Sequence, residues 1–135
     1  MRVSPLNQNE TNWINSLIAN GKNILQITSD KRYTPKDLEV AYKQWKAKDK
    51  SNEELNQGLN TFGALTGELL RQSFPKLQWM VITDEYGSEL GLFAEEKKVT
   101  IFPIGLVVKR FERNEESFFV DLYDNLNRDL SQVLS

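Results

Sequence analysis

The stretch Leu77-Gln78-Trp79-Met80-Val81-Ile82-Thr83-Asp84-Glu85-Tyr86-Gly87-Ser88-Glu89-Leu90-Gly91-Leu92-Phe93-Ala94 decides the fold. Up to Pro75 the apolar residues recur at helical spacing; after it they alternate, with Leu77, Trp79 and Val81 on one face and Met80 and Ile82 on the other. Apolar residues on both faces mark an interior strand. Asp84 to Ser88 supplies turn-forming residues for a hairpin loop, because Asp and Gly tolerate conformations that β-branched residues do not. Glu89 to Ala94 then returns as a second strand. Glu95 to Lys98 forms a charged turn, Val99 to Phe102 a third strand, and Pro103 ends the ladder. These pieces predict a three-stranded antiparallel meander.

Upstream of the meander the pattern is helical. Ser51 with Glu54 is a capping box that opens a long helix through Leu55, Leu59, Phe62, Leu69 and Leu70. Thr34, Pro35 and Asp37 supply an N-cap, a proline at the first helical position and a first-turn acid. Leu38, Ala41, Tyr42 and Trp45 follow as its buried stripe, leaving Lys36, Lys43 and Lys50 in water. Between Asn7 and Ile27 the spacing of Ile14, Leu17, Ile18, Ile24 and Leu25 predicts one helix, with Asn7 and Glu10 as a capping pair. Gly21 leaves open a stop there, followed by a connector from Ile24 to Ile27. Downstream, Ile104, Val107, Val108 and Phe111 suit a short helix, although the valines also fit a strand and Gly105 weakens a helix. Phe119, Leu122, Tyr123, Leu126, Leu130 and Val133 line one side of a final helix. The expected fold is therefore α+β, with N-terminal helices, the meander and a C-terminal helix, in one domain spanning 1–135.

Composition removes most chemistry. The 135 residues contain no cysteine and no histidine, which excludes disulfides, thiolate nucleophiles, serine-histidine triads and zinc sites built on sulfur or imidazole. The start has no secretory h-region, and no run approaches the roughly 20 apolar residues of a membrane span. The expected address is cytoplasmic. The net charge of −2 offers no global field for nucleic acid. Its distribution is uneven: seven Lys/Arg face three Asp/Glu between Lys31 and Lys50, and six acids face two arginines between Glu112 and Ser135. Those segments are expected to meet each other, or a second copy in a homodimer.

Four features are candidate sites. Gly63 and Gly67 share a helix face, where each costs about 1 kcal/mol relative to alanine; either a close-packed neighbour or a ligand groove would offset that. Asp84, Glu85 and Tyr86 sit at the hairpin tip, a common place for binding residues. Adjacent carboxylates there point apart, and no further oxygen ligands stand at a recognisable Mg2+ or Ca2+ spacing, so no metal or cofactor is expected. Lys109-Arg110 is the best anion-binding pair in the chain, although Arg110 suits equally an internal salt bridge to Asp84 or Glu85. The lysines near Tyr33, Tyr42 and Trp45 superficially match single-strand binders. Tyr42 and Trp45 lie on the core stripe, so nucleic-acid binding is not expected.

Leu59 through Gly67, Trp79 followed by Thr83-Asp84-Glu85-Tyr86-Gly87, and Phe102-Pro103 followed by Lys109-Arg110-Phe111-Glu112 together resemble the bacterial Domain of Unknown Function 3806 family. The resemblance implies an α+β fold for 51–135, with 1–50 as a helical cap, and brings no activity, substrate or cofactor. It singles out Trp79, Asp84, Tyr86, Gly87, Lys109 and Arg110. The functional expectation is a noncatalytic domain that binds a protein partner through its sheet edge or acidic C-terminal helix, or else a small anionic ligand, with Trp79, Asp84, Glu85, Tyr86, Lys109 and Arg110 as candidate binding residues. The alternative is a carboxylate-based enzyme in which Asp84 or Glu85 acts as acid/base while Lys109 or Arg110 holds an anionic substrate.

Overall fold

A computed structural model describes residues 1–26 and 32–134. In chain order the elements are β1 (Arg2–Pro5), α1 (Gln8–Ile24), α2 (Pro35–Lys46), α3 (Asn52–Ser73), β2 (Gln78–Asp84), β3 (Gly87–Ala94), β4 (Val99–Ile101), α4 (Pro103–Glu112) and α5 (Phe119–Leu134). Three capping boxes start the first three helices where the sequence places them, on Asn7 with Glu10, Thr34 with Asp37 and Ser51 with Glu54. Each box satisfies two backbone N–H groups that the first helical turn would leave without partners.

The architecture is α+β, and the expected meander is present as β2, β3 and β4. The sheet nevertheless has four strands, in the order β1-β2-β3-β4, all antiparallel. The additional strand, β1, lies along the outer edge of β2, with Val3 opposite Ile82 and Pro5 opposite Met80. It pairs through its backbone and offers one β-branched side chain, so it leaves little pattern in the sequence. Pro5, which lacks an N–H, is tolerated at an edge. β2 is interior, as its apolar faces require.

Residues directly opposite in an antiparallel sheet share a face. Trp79, Leu92, Ala94 and Ile101 lie on the face that joins a core with Ile14 and Leu17 of α1, Ala64 and Leu70 of α3, and Leu130 of α5. A second core gathers Leu38 and Tyr42 of α2, Leu59, Phe62, Leu65 and Leu69 of α3, Val107 of α4, and Phe119 and Leu122 of α5. The helix common to both is α3, whose middle, from Gly58 to Leu70, is buried on nearly every side. Two hydroxyls buried in it, on Thr61 and Thr66, donate to the carbonyls of Gln57 and Phe62, each at 2.8 Å.

Two expectations about the first half are corrected or completed. Helix α1 continues through Gly21 to Ile24 because the glycine serves contact: a Cβ there would lie 2.6 Å from a Leu65 methyl. The connector read for Ile24 to Ile27 ends outside the described residues. The basic and acidic segments meet within the chain, where Lys46 Nζ donates to Asn114 Oδ1 at 2.6 Å and lies 3.5 Å from Glu116 Oε1.

The aromatic centre of the helical core contains one hydroxyl without a partner. The Tyr42 ring is edge-on to Phe62, Phe118 and Phe119, with centroids 5.2–5.4 Å away, and its Oη has no hydrogen-bond partner among the described residues. Burial, with the charges of Glu116 and Glu115 adding, pushes its pKa up to about 12. Tyr33 Oη, by contrast, donates to the Leu65 carbonyl at 2.6 Å; burial first, then the charge of Glu68, raises its pKa as well. Both phenols stay neutral in the fold while an unfolded tyrosine ionises near pH 10. What these two phenols contribute to stability is therefore complete below about pH 10 and falls as pH rises from there. Urea denaturation at pH 7 should find Tyr42→Phe as stable as the parent or up to about 1 kcal/mol more stable, and Tyr33→Phe about 1 kcal/mol less stable. Tyr42→Phe should also lose less stability at pH 11. A clear loss at pH 7 would show that the Tyr42 hydroxyl has a partner.

Candidate functional site

The site is positioned by the glycine face of α3. A Cβ on Gly63 would lie 2.4 Å from the Ile104 Cα, and one on Gly67 would lie 2.4 Å from the Trp79 ring and 3.3 Å from Pro103. These glycines therefore offset their helical cost by close packing, the first of the two accounts the sequence left open. Trp79 is buried in this contact, and its indole N–H donates to Glu68 Oε2 at 3.0 Å. Glu68 also takes Arg71 at 3.0 Å, while Arg71 Nε donates to the Leu77 carbonyl at 3.2 Å. Trp79 is thus a buttress between α3 and the sheet.

At the hairpin, Asp84 pairs with Gly87, so Glu85 and Tyr86 form a two-residue turn. Asp84 Oδ1 accepts the Tyr86 N–H at 2.8 Å, and Gly87 has a φ of 133°, where a side chain would be strained. The Thr83 and Ser88 hydroxyls bond each other at 2.8 Å just below. Tyr86 is 90% exposed. Among the described residues no ion pair joins Asp84 or Glu85 to Arg110, whose Nη1 donates instead to the Leu106 carbonyl at 3.4 Å. The internal bridge from Arg110 to Asp84 or Glu85 does not form among the described residues: Asp84 bonds within its own turn and Arg110 turns to its own helix.

The space near the Lys109 pair lies where β4 gives way to α4. Ile101 completes the ladder, Phe102 caps the helix without a side-chain hydrogen bond, and Pro103 occupies its first position. Between this corner and α5 opens a cleft of about 380 Å3. Ile101, Phe102, Leu106 and Leu126 supply its apolar surface. Thr100 and Gly105 also line it, and the exposed side chains of Glu89 and Lys109 stand at its rim. A smaller cleft of about 180 Å3 beside the hairpin is lined by Ile82, Asp84, Tyr86, Gly87, Ser88, Glu89 and Phe102. Glu89 and Phe102 line both clefts, which therefore adjoin.

Of the residues expected at a site, Asp84 and Tyr86 line the smaller cleft and Lys109 the larger. Glu85, Trp79 and Arg110 line neither. Glu89, Gly105 and Leu126 were not foreseen. Gly105 had a signal, since a glycine there weakens the expected helix, whereas Glu89 reads simply as the start of a strand.

Gly105 differs from the other helical glycines. Gly21, Gly58, Gly63 and Gly67 each have a neighbouring atom within 2.6 Å of where a Cβ would stand. At Gly105 the nearest are Glu89 Oε1 at 3.4 Å and Phe102 Cβ at 3.7 Å, which are ordinary contacts. The fold does not need this residue to lack a side chain. What its absence preserves is room in the larger cleft.

Among the described residues no group of three or more carboxylates is gathered to hold a metal, and no helix is long and apolar enough to cross a membrane. Comparison with known proteins supplies the family. The model described as Domain of unknown function (DUF3806) matches residues 37–123, and the chain belongs to that family. No curated protein matches the sequence. A crystal structure of a protein from Bacteroides thetaiotaomicron is similar, with a TM-score of 0.69 at 13% identity. The match covers 93% of this chain and 46% of that one, so the chain spans about half the length of the solved protein. At that identity the likeness concerns the fold.

If Asp84 and Arg110 act independently, Asp84→Asn and Arg110→Met should change stability additively, to within about 0.5 kcal/mol in a double-mutant cycle. Coupling clearly above that would restore the bridge.

Proposed function

We propose that this domain is a noncatalytic binding module that receives a small, partly apolar molecule in the cleft between β4, α4 and α5. The observation that carries the reading is Gly105. Gly105 lies in the first turn of α4, where it carries part of the helix-interior cost of about 1 kcal/mol relative to alanine, and no packing contact offsets it. The cleft volume falls within the range of small-molecule sites, and its lining combines apolar surface with a few polar groups, the usual composition of such sites.

Asp84 and Tyr86 extend the same surface towards the hairpin and are proposed as secondary contacts. A cytoplasmic address belongs to the proposal and fits a chain with no cysteine, which gives up the disulfides common in oxidising compartments. A binding role also suits a chain without histidine, since holding a ligand requires no group that titrates near neutrality.

Two variants test the reading. Gly105→Ala should fold and gain up to about 1 kcal/mol, because its Cβ meets only ordinary contacts. Gly105→Leu should fold while filling the cleft. In an NMR screen of small aromatic and aliphatic fragments, binders should shift the amide signals of Thr100, Leu106 and Leu126 in the parent and lose that effect in Gly105→Leu. Fragments that leave those signals unmoved, or bind both proteins alike, would contradict the proposal.

A further inference from the structure

The rim of the larger cleft is doubly charged. Glu89 and Lys109 carry opposite charges and line the same space, yet neither forms an ion pair among the described residues. Among the described residues they are the only ionisable side chains of the lining. Phe102, Leu106 and Leu126 supply apolar surface to the rest of the cleft. The Glu89 carboxylate overhangs the bare backbone of Gly105, one turn before Lys109 on the same face of α4.

Opposite charges that share a cleft without touching suit a ligand that is itself dipolar. A simple anion would meet Lys109 and also the like charge of Glu89, and a simple cation would have the converse difficulty. We propose that the cleft binds a zwitterion with an apolar body, of the α-amino-acid class, its ammonium group towards Glu89 and its carboxylate towards Lys109. This rests on the small-molecule reading above and revises the simple anion expected from Lys109-Arg110. Arg110 has no part in it, because its guanidinium turns back to the Leu106 carbonyl. Charge-assisted hydrogen bonds to the two neighbouring charges would fix orientation, while the apolar surface selects the side chain.

The experiment titrates the full chain with three probes of one shape, L-phenylalanine, 3-phenylpropionate and 2-phenylethylamine, and follows the amide signals of Thr100, Leu106 and Leu126 by NMR. L-phenylalanine should bind at least about tenfold more tightly than either single-charge probe. Glu89→Gln should erase its advantage over 3-phenylpropionate, and Lys109→Met its advantage over 2-phenylethylamine. Both residues are exposed, so these variants should fold as the parent does. If 3-phenylpropionate binds as well as L-phenylalanine, and Gly105→Leu abolishes both, the zwitterion assignment fails while the binding cleft stands. If none of the three moves the cleft signals, the assignment fails; the cleft itself is then judged by the wider fragment screen.

Discussion

The structure depends on how closely α3 admits its neighbours. Its glycines at 63 and 67 let the Ile104 backbone and the Trp79 ring approach to distances that a single methyl group would forbid. An enclosed helix could have filled that face with leucine, at better helix propensity and with more apolar surface. It would then have held the sheet and α4 farther away. The glycines exchange local helical stability for contact between three elements that are distant in sequence.

That contact places the candidate site. With Trp79 and Pro103 both against Gly67, the last turn of the sheet and the first turn of α4 are held at one corner. Phe102 must then cap the helix, and the face bearing Gly105, Leu106 and Lys109 opens towards Glu89 and Leu126. The three sequence segments that carry the family resemblance converge here: the glycine-bearing helix, the tryptophan strand with its hairpin, and the Phe102-Pro103 start of α4. Much of what they share is therefore explained by packing, with the cleft as a consequence at its edge.

Local rules made much of this legible. Asn7, Thr34 and Ser51 announce helix starts through groups within three residues, and the alternation from Leu77 to Ile82 needs no knowledge of the rest of the chain. β1 was hidden because an edge strand of four residues, one of them proline, is specified mainly by the strand it joins. Gly21 left an alternative open because a glycine that ends a helix and one that admits a leucine from another helix look the same in sequence. The site was legible in part: Lys109, Asp84 and Tyr86 follow from motif and turn chemistry. Their partners Glu89 and Leu126 arrive from other elements, and only tertiary packing brings them near. A bridge from Asp84 to Arg110 rests on charge alone, and charge does not fix distance; in the fold Asp84 bonds the Tyr86 N–H and Arg110 the Leu106 carbonyl.

The most direct measurement is urea denaturation of Gly63→Ala. Helix propensity by itself would raise stability by about 1 kcal/mol. Because the new methyl would stand 2.4 Å from the Ile104 Cα, overpacking should dominate and give a net loss of roughly 1–3 kcal/mol. A variant equal to the parent, or more stable, would mean that α3 and α4 are not held at this contact, and the account of the fold and its cleft would fail with it.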